Sequence, residues 1–168
     1  MAKLSLLGFF LCALMAMLAR GNEDAWSSKC YDGAAIINNR VLMAYCKTTI
    51  PMGPPWVCSK MNLNFCYGFA DAPGLFAKEN GFYGDSCGVC DLEADGHTMA
   101  CWCRPSTTPV YSRYTVDTDY CLTVNPNGFL HCFMQTAAPC TESEEATFLN
   151  MTLGSHVRDT TMSLPLAS

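Results

Sequence analysis

Gly84-Asp85-Ser86-Cys87-Gly88 has the Gly-x-Ser-x-Gly spacing of a nucleophile elbow, where a strand-to-helix turn presents a serine to a histidine and an acid. The surroundings argue against acyl transfer. No apolar strand precedes Ser86, and the residue after it is a repeat cysteine. His97 sits at a hairpin turn and His131 beside Cys132. Cys87-x-x-Cys90 with Cys101-x-Cys103 offers four thiolates, a set that zinc could use. Cys87-x-x-Cys90 alone has the spacing of a redox pair, but no helix N-terminus is evident to stabilise a thiolate. His97, His131 and His156 are scattered. The chain reads as non-catalytic, with no metal and no cofactor, and its cysteines as structural.

The elements that position these residues are set by an internal repeat. Cys30 and Cys46 are sixteen residues apart, and so are Cys87 and Cys103, fifty-seven residues further on. Leu42-Met43-Ala44-Tyr45-Cys46-Lys47 lies over Met99-Ala100-Cys101-Trp102-Cys103-Arg104. A second echo matches Met61-Asn62-Leu63-Asn64-Phe65-Cys66 with Val116-Asp117-Thr118-Asp119-Tyr120-Cys121, and Gly74-Leu75-Phe76 with Gly128-Phe129-Leu130. Duplication on this scale predicts two half-domains that bury their apolar faces together. Val41 to Cys46 and Met99 to Cys103 are short strands, each preceded by a turn at Asn38-Asn39 or Asp95-Gly96. Facing residues of an antiparallel pair keep a constant index sum. Cys87 with Cys103 and Cys90 with Cys101 differ by one in that sum, which a bulge absorbs. The expected disulfides are Cys30–Cys46 and Cys87–Cys103 from the repeat, and Cys90–Cys101 from hairpin register. Cys121–Cys132 would close a hairpin around Asn125-Pro126-Asn127-Gly128. Cys58, Cys66 and Cys140 are left open. Trp26, Trp56 and Trp102 read as packing residues, with Trp56, in a loop beside Pro54-Pro55, the best candidate for an exposed platform on which a ligand could stack.

Residues 1–21 have the pattern of a secretory signal: Lys3, an apolar stretch from Leu4 to Leu18, then small residues around Gly21. The apolar run is short for a membrane span. Cleavage would remove Lys3 and Arg20, lowering the net charge from −5 to −7. An acidic chain with no basic stripe is a poor partner for nucleic acid. Eleven of the twelve cysteines lie beyond the signal, as expected of a secreted disulfide framework with one cysteine left over. Residues 134–168 read as a poorly ordered polar tail tethered at Cys140, with room for a short helix from Glu144 to Met151. Asn150-Met151-Thr152 is a glycosylation acceptor pattern.

Residues 22–133, with repeats at about 26–77 and 82–133, resemble a cyanovirin-N homology domain. The likeness rests on Cys30, Leu42-Met43-Ala44-Tyr45-Cys46, Met61-Asn62-Leu63-Asn64 and Gly74-Leu75 in one half. In the other it rests on Met99-Ala100-Cys101-Trp102-Cys103, Val116-Asp117-Thr118-Asp119 and Asn125-Pro126-Asn127-Gly128-Phe129-Leu130. The resemblance implies an all-β, disulfide-stapled fold of two pseudo-symmetric repeats, each a sheet plus a hairpin, with strands exchanged between them. It implies a lectin for mannose-type glycans or glycoproteins with a shallow pocket on each half. One pocket would use Ser28, Lys29, Lys47 and Thr49 with the turn residues Asn125 and Asn127. The other would use Ser86, Arg104, Ser106 and Thr108 with Asp71. The turn around Asp71 offers a carboxylate and no amide, so the Asn125–Asn127 pocket is expected to be the tighter. Exchanged strands also open a route to a domain-swapped homodimer. The competing reading is a secreted cysteine-rich effector that uses the same scaffold to bind a protein.

Overall fold

A computed structural model of the chain describes residues 25–30 and 33–159, with side chains as far as residue 150. The expected signal at residues 1–21 lies outside them. A short helix, α1 (Trp26–Lys29), leads into an antiparallel sheet of β1 (Ala35–Ile37), β2 (Val41–Lys47) and β3 (Trp56–Asn62). A 3-10 turn (Leu63–Phe65) then leads to a hairpin of β4 (Tyr67–Ala70) and β5 (Gly74–Ala77). The plan repeats. A 3-10 turn at Tyr83–Asp85 leads into β6 (Cys87–Leu92), β7 (Thr98–Cys103) and β8 (Ser112–Asp117). A further 3-10 turn at Thr118–Tyr120 precedes the hairpin of β9 (Thr123–Val124) and β10 (Leu130–Cys132). Among the described residues no helix is long and apolar enough to cross a membrane.

Local chemistry explains the elements. Asn38 and Asn39 both adopt left-handed φ, 52° and 61°, the demand of the tight turn that joins β1 to β2. The β6–β7 register shifts between Gly88 and Cys90, leaving Val89 as the bulged residue at φ 50° and 70% exposed. That slip lets Cys87–Cys103 and Cys90–Cys101 both form across one strand pair. Asn62 and Asp117 play one part in the two repeats: each side chain accepts the backbone N–H two residues on and starts the following 3-10 turn. Hairpin registers place Leu75 and Leu130, both buried, at equivalent positions, so the second echo aligns one residue away from the Gly74–Gly128 match read from the sequence.

The halves exchange parts. Ala25, opening the first repeat, bridges Thr123 on the second hairpin, and Phe82, opening the second, bridges Gly68 on the first. Trp26, 1% exposed, donates from its indole Nε1 to Thr118 Oγ1 at 2.8 Å. Ser27 donates both its backbone N–H and its hydroxyl to Asp119. The mirror contact runs from the Gly84 N–H to Asn64 Oδ1 at 2.9 Å. Each hairpin also leans on the other repeat's sheet: Phe69 meets Tyr114 edge-on at 5.0 Å, and the Leu130 N–H donates to Ser59 Oγ at 2.9 Å. The core is shared by both repeats and centres on Trp26, Leu42, Leu63, Tyr67, Met99 and Leu130.

Two expectations are corrected. Cys132 bonds Cys66, not Cys121. The β9–β10 register, extended outward, sets Cys132 opposite Leu122; Cys121 is one residue off, and a one-residue slip turns a side chain to the other face. The core-facing Cys132 meets Cys66 of the other repeat instead. The second correction concerns residues 134–159, where the expected tail left room only for a short helix from Glu144 to Met151. Strands β11 (Gln135–Thr136) and β12 (Ala138–Pro139) add to the hairpin and to the edge of β3, and helix α2 (Glu142–Asp159) follows. Cys140 bonds Cys58, and Phe148, 2% exposed, packs on Met43 and Cys58 and stacks with Tyr45 at 5.8 Å. Thr141 and Glu144 form a reciprocal capping box, and Glu144 also pairs with Lys60 at 2.8 Å. Polarity misled the reading because one buried aromatic and one disulfide suffice to dock the helix.

Cys121 is the one free cysteine among the described residues. Its thiol is half-buried, 3.7 Å from the Cys66 carbonyl, and burial pushes its pKa up to about 11. At pH 7 the thiolate fraction is roughly one part in ten thousand. A disulfide-exchange reagent should label native protein slowly at pH 7 and quickly once denatured, with the native rate climbing steeply above pH 9. Immediate labelling of the native thiol at pH 7 would contradict this placement.

Candidate functional site

Two surface sites form where a hairpin turn of one repeat meets the loop following a disulfide strand of the other. At the first, the Thr49 N–H donates to the Pro126 carbonyl at 2.9 Å and its hydroxyl reaches the same oxygen at 3.4 Å. Gly128, at φ 82°, lies against β3, and a Cβ there would sit 2.5 Å from Val57. Only glycine satisfies both that backbone and that closeness. The Cys30–Cys46 disulfide holds Ser28 and Lys29 beside the end of β2.

The turn's two amides do different work. Asn125 Oδ1 accepts the N–H groups of Asn127 and Phe129, each at 3.0 Å, so this side chain braces the turn. Asn127 is exposed, and its side-chain amide makes no hydrogen bond among the described residues. Asn127 therefore carries its amide free at the surface, on a turn that Asn125 braces. Lys47 does not join them. Cys46, Thr48 and Val57 face the turn, so strand alternation sends Lys47 to the opposite face, beside its register partner Trp56. Trp56 is 44% exposed and forms an aromatic ledge there rather than core.

At the second site Asp71 replaces a backbone contact with a carboxylate. Its oxygens accept the Ser106 N–H at 2.8 Å and the Ser106 hydroxyl at 2.7 Å. These bonds, with smaller help from Thr107, hold the Asp71 carboxyl below its usual range. Thr107 was not singled out from the sequence; its signal was adjacency to two expected residues. The Arg104 N–H donates to the Ser86 carbonyl at 2.9 Å, while the Arg104 side chain is exposed and unpaired among the described residues. Thr108 turns its hydroxyl to the Val110 carbonyl at 3.4 Å. The second site thus combines a hydrogen-bonded anion with a free cation.

The other motifs settle differently. Gly84 to Gly88 runs from a 3-10 turn into β6, the reverse of the strand-to-helix order an elbow needs, and His97 lies among Asp95, Asp117 and Asp119 instead of beside Ser86. All four thiols of the zinc-like set are in disulfides. Trp102 is 47% exposed on the outer face of β7 and does not pack in the core. Asn150 is exposed on α2.

No protein-family model matches the sequence, and no curated protein matches it. Among solved structures, the T. borchii CVNH protein superposes with a TM-score of 0.52 at 22% identity, covering 65% of this chain and 99% of that one. The fold is the cyanovirin-N homology fold. The match spans nearly all of the T. borchii chain yet only 65% of this one, so this protein carries additional segments beyond the shared fold.

Proposed function

We propose that this protein is a secreted, non-catalytic lectin that recognises mannose-type glycans, with its principal site at the turn carrying Asn127. The observation that supports this most is the free Asn127 amide on a turn braced by Asn125 and seated against β3 through Gly128. A rigid turn costs little entropy to order when a ligand binds. An amide supplies donor and acceptor together, matching adjacent sugar hydroxyls. The Arg104–Asp71 site, already internally hydrogen-bonded, is the weaker one. Five disulfides support an oxidising, extracellular setting. The alternative, an effector that binds a protein partner, draws on the exposed apolar residues Ile50 and Met52, on the loop after β2, and Trp56, at the start of β3.

Asn127→Ala should lower affinity for the best-bound mannose oligosaccharide five- to thirtyfold, as one or two hydrogen bonds of about 1 kcal/mol are lost. Its melting temperature should stay near that of the parent. Asn125→Ala should weaken binding and also lower stability, because two backbone N–H groups lose their acceptor. Calorimetric titration of both variants checks this. Unchanged affinity in Asn127→Ala would move the site away from the turn.

A further inference from the structure

The segment that follows the second repeat builds a cavity of about 340 Å³ between β3, β11–β12 and the start of α2. This is at the small end of the range for ligand sites, room for one or two sugar rings. It lies apart from both cross-repeat sites and shares no residue with them. We propose that it is a third binding site, for a neutral polyhydroxylated ligand of mono- or disaccharide size.

The lining holds polar groups but carries no net charge. The charges cancel: Lys60 and Glu144 pair with each other at 2.8 Å, and the capping box with Thr141 fixes Glu144 in place. An anionic ligand would meet Glu144 and a cationic one Lys60, so neither gains. Three uncharged polar groups remain. The Gln135 amide makes no hydrogen bond among the described residues. Asn62 uses its Oδ1 to cap Asn64 and keeps its NH₂ group free. Thr136 adds a hydroxyl near His131 Nδ1 at 3.2 Å. Phe65 supplies an aromatic wall, fixed edge-on against Phe82 at 6.2 Å. A purely apolar ligand would strand the amides without partners. Amides beside a ring, without net charge, suit a pyranose with hydroxyls on its rim and C–H groups on its face. The equivalent place in the second repeat has no such roof: Tyr120, which corresponds to Phe65, is 86% exposed. The cavity therefore comes from the added segment, not from the repeat plan.

The test is an amide-resolved NMR titration of the whole disulfide-bonded chain with the methyl glycosides of mannose, glucose and galactose, and with N-acetylglucosamine. At least one should give saturable shifts at Lys60, Asn62, Gln135 and Thr136. Gln135→Ala should weaken that response at least tenfold, and Thr136→Trp, which fills the cavity from its rim, should abolish it. Dispersed spectra confirm that both variants fold. Absence of saturable shifts at these four amides with every sugar overturns the proposal, as does a response unaltered in both variants. Shifts at Thr49 and Asn127 with none in the cavity overturn this site and leave the lectin reading standing. Shifts in the cavity with none at Thr49 or Asn127 do the opposite.

Discussion

Removing Cys66–Cys132 and Cys58–Cys140 together by alanine substitution is expected to cost far more than removing either alone. The two bonds span 66 and 82 residues of sequence, but they are nested. With one intact, the chain closed by the other is only about sixteen residues, eight from 58 to 66 and eight from 132 to 140, and its loss costs about 3 kcal/mol. With one already gone, the second closes a long loop and its loss costs about 4 kcal/mol. The double loss, about 7 kcal/mol, is comparable to the whole stability of a domain this size. The single-pair variants should melt cooperatively at reduced temperature, and the four-cysteine variant should be largely unfolded at 37 °C. Denaturant titration of the three proteins gives the numbers. Equal, small effects from all three would mean these bonds do not hold the halves together.

Trp26→Ala is the second large effect. The ring is buried against both repeats, and its indole N–H is bound to Thr118 on the far side of the exchange. Truncation should cost about 3–5 kcal/mol from the transfer and cavity terms. Trp26→Phe keeps most of the ring and loses the hydrogen bond, for a cost of about 1–2 kcal/mol. Tyr83, at the equivalent position, is 1% exposed and donates to the Asn39 carbonyl at 2.8 Å, so Tyr83→Phe should cost about 1 kcal/mol. Thermal and chemical unfolding check all three. A cost below 1 kcal/mol for Trp26→Ala would show that the segment ahead of Cys30 is not part of the exchanged core.

Much of this was legible because it is local or repeated. The repeat spacing gave Cys30–Cys46 and Cys87–Cys103, hairpin register gave Cys90–Cys101, and a one-unit mismatch in index sums gave the bulge that the structure places at Val89. The turn residues Asn38 and Asn39 announced left-handed backbone by type. The unread features depend on contacts across the fold. Cys66 and Cys132 meet only after the hairpins change places. Asn125 and Asn127 look alike in sequence; only the turn's geometry shows that one braces and the other is free. Beyond the short helix expected from Glu144 to Met151, the α2 segment looked like tail because most of its residues are polar, and the Thr141–Glu144 capping pair that starts the helix went unread. Trp102 was misread because its neighbours Cys101 and Cys103 face inward, so alternation must turn it out.

Glycan binding at the Asn127 turn of the exchanged fold is tested most directly by applying the protein, with its disulfides intact, to a glycan array at high micromolar concentration. Binding concentrated on mannose-type structures, and weakened in Asn127→Ala, is the expected result. No bound glycan of any class, from protein whose disulfides and cooperative melting are verified, would contradict it.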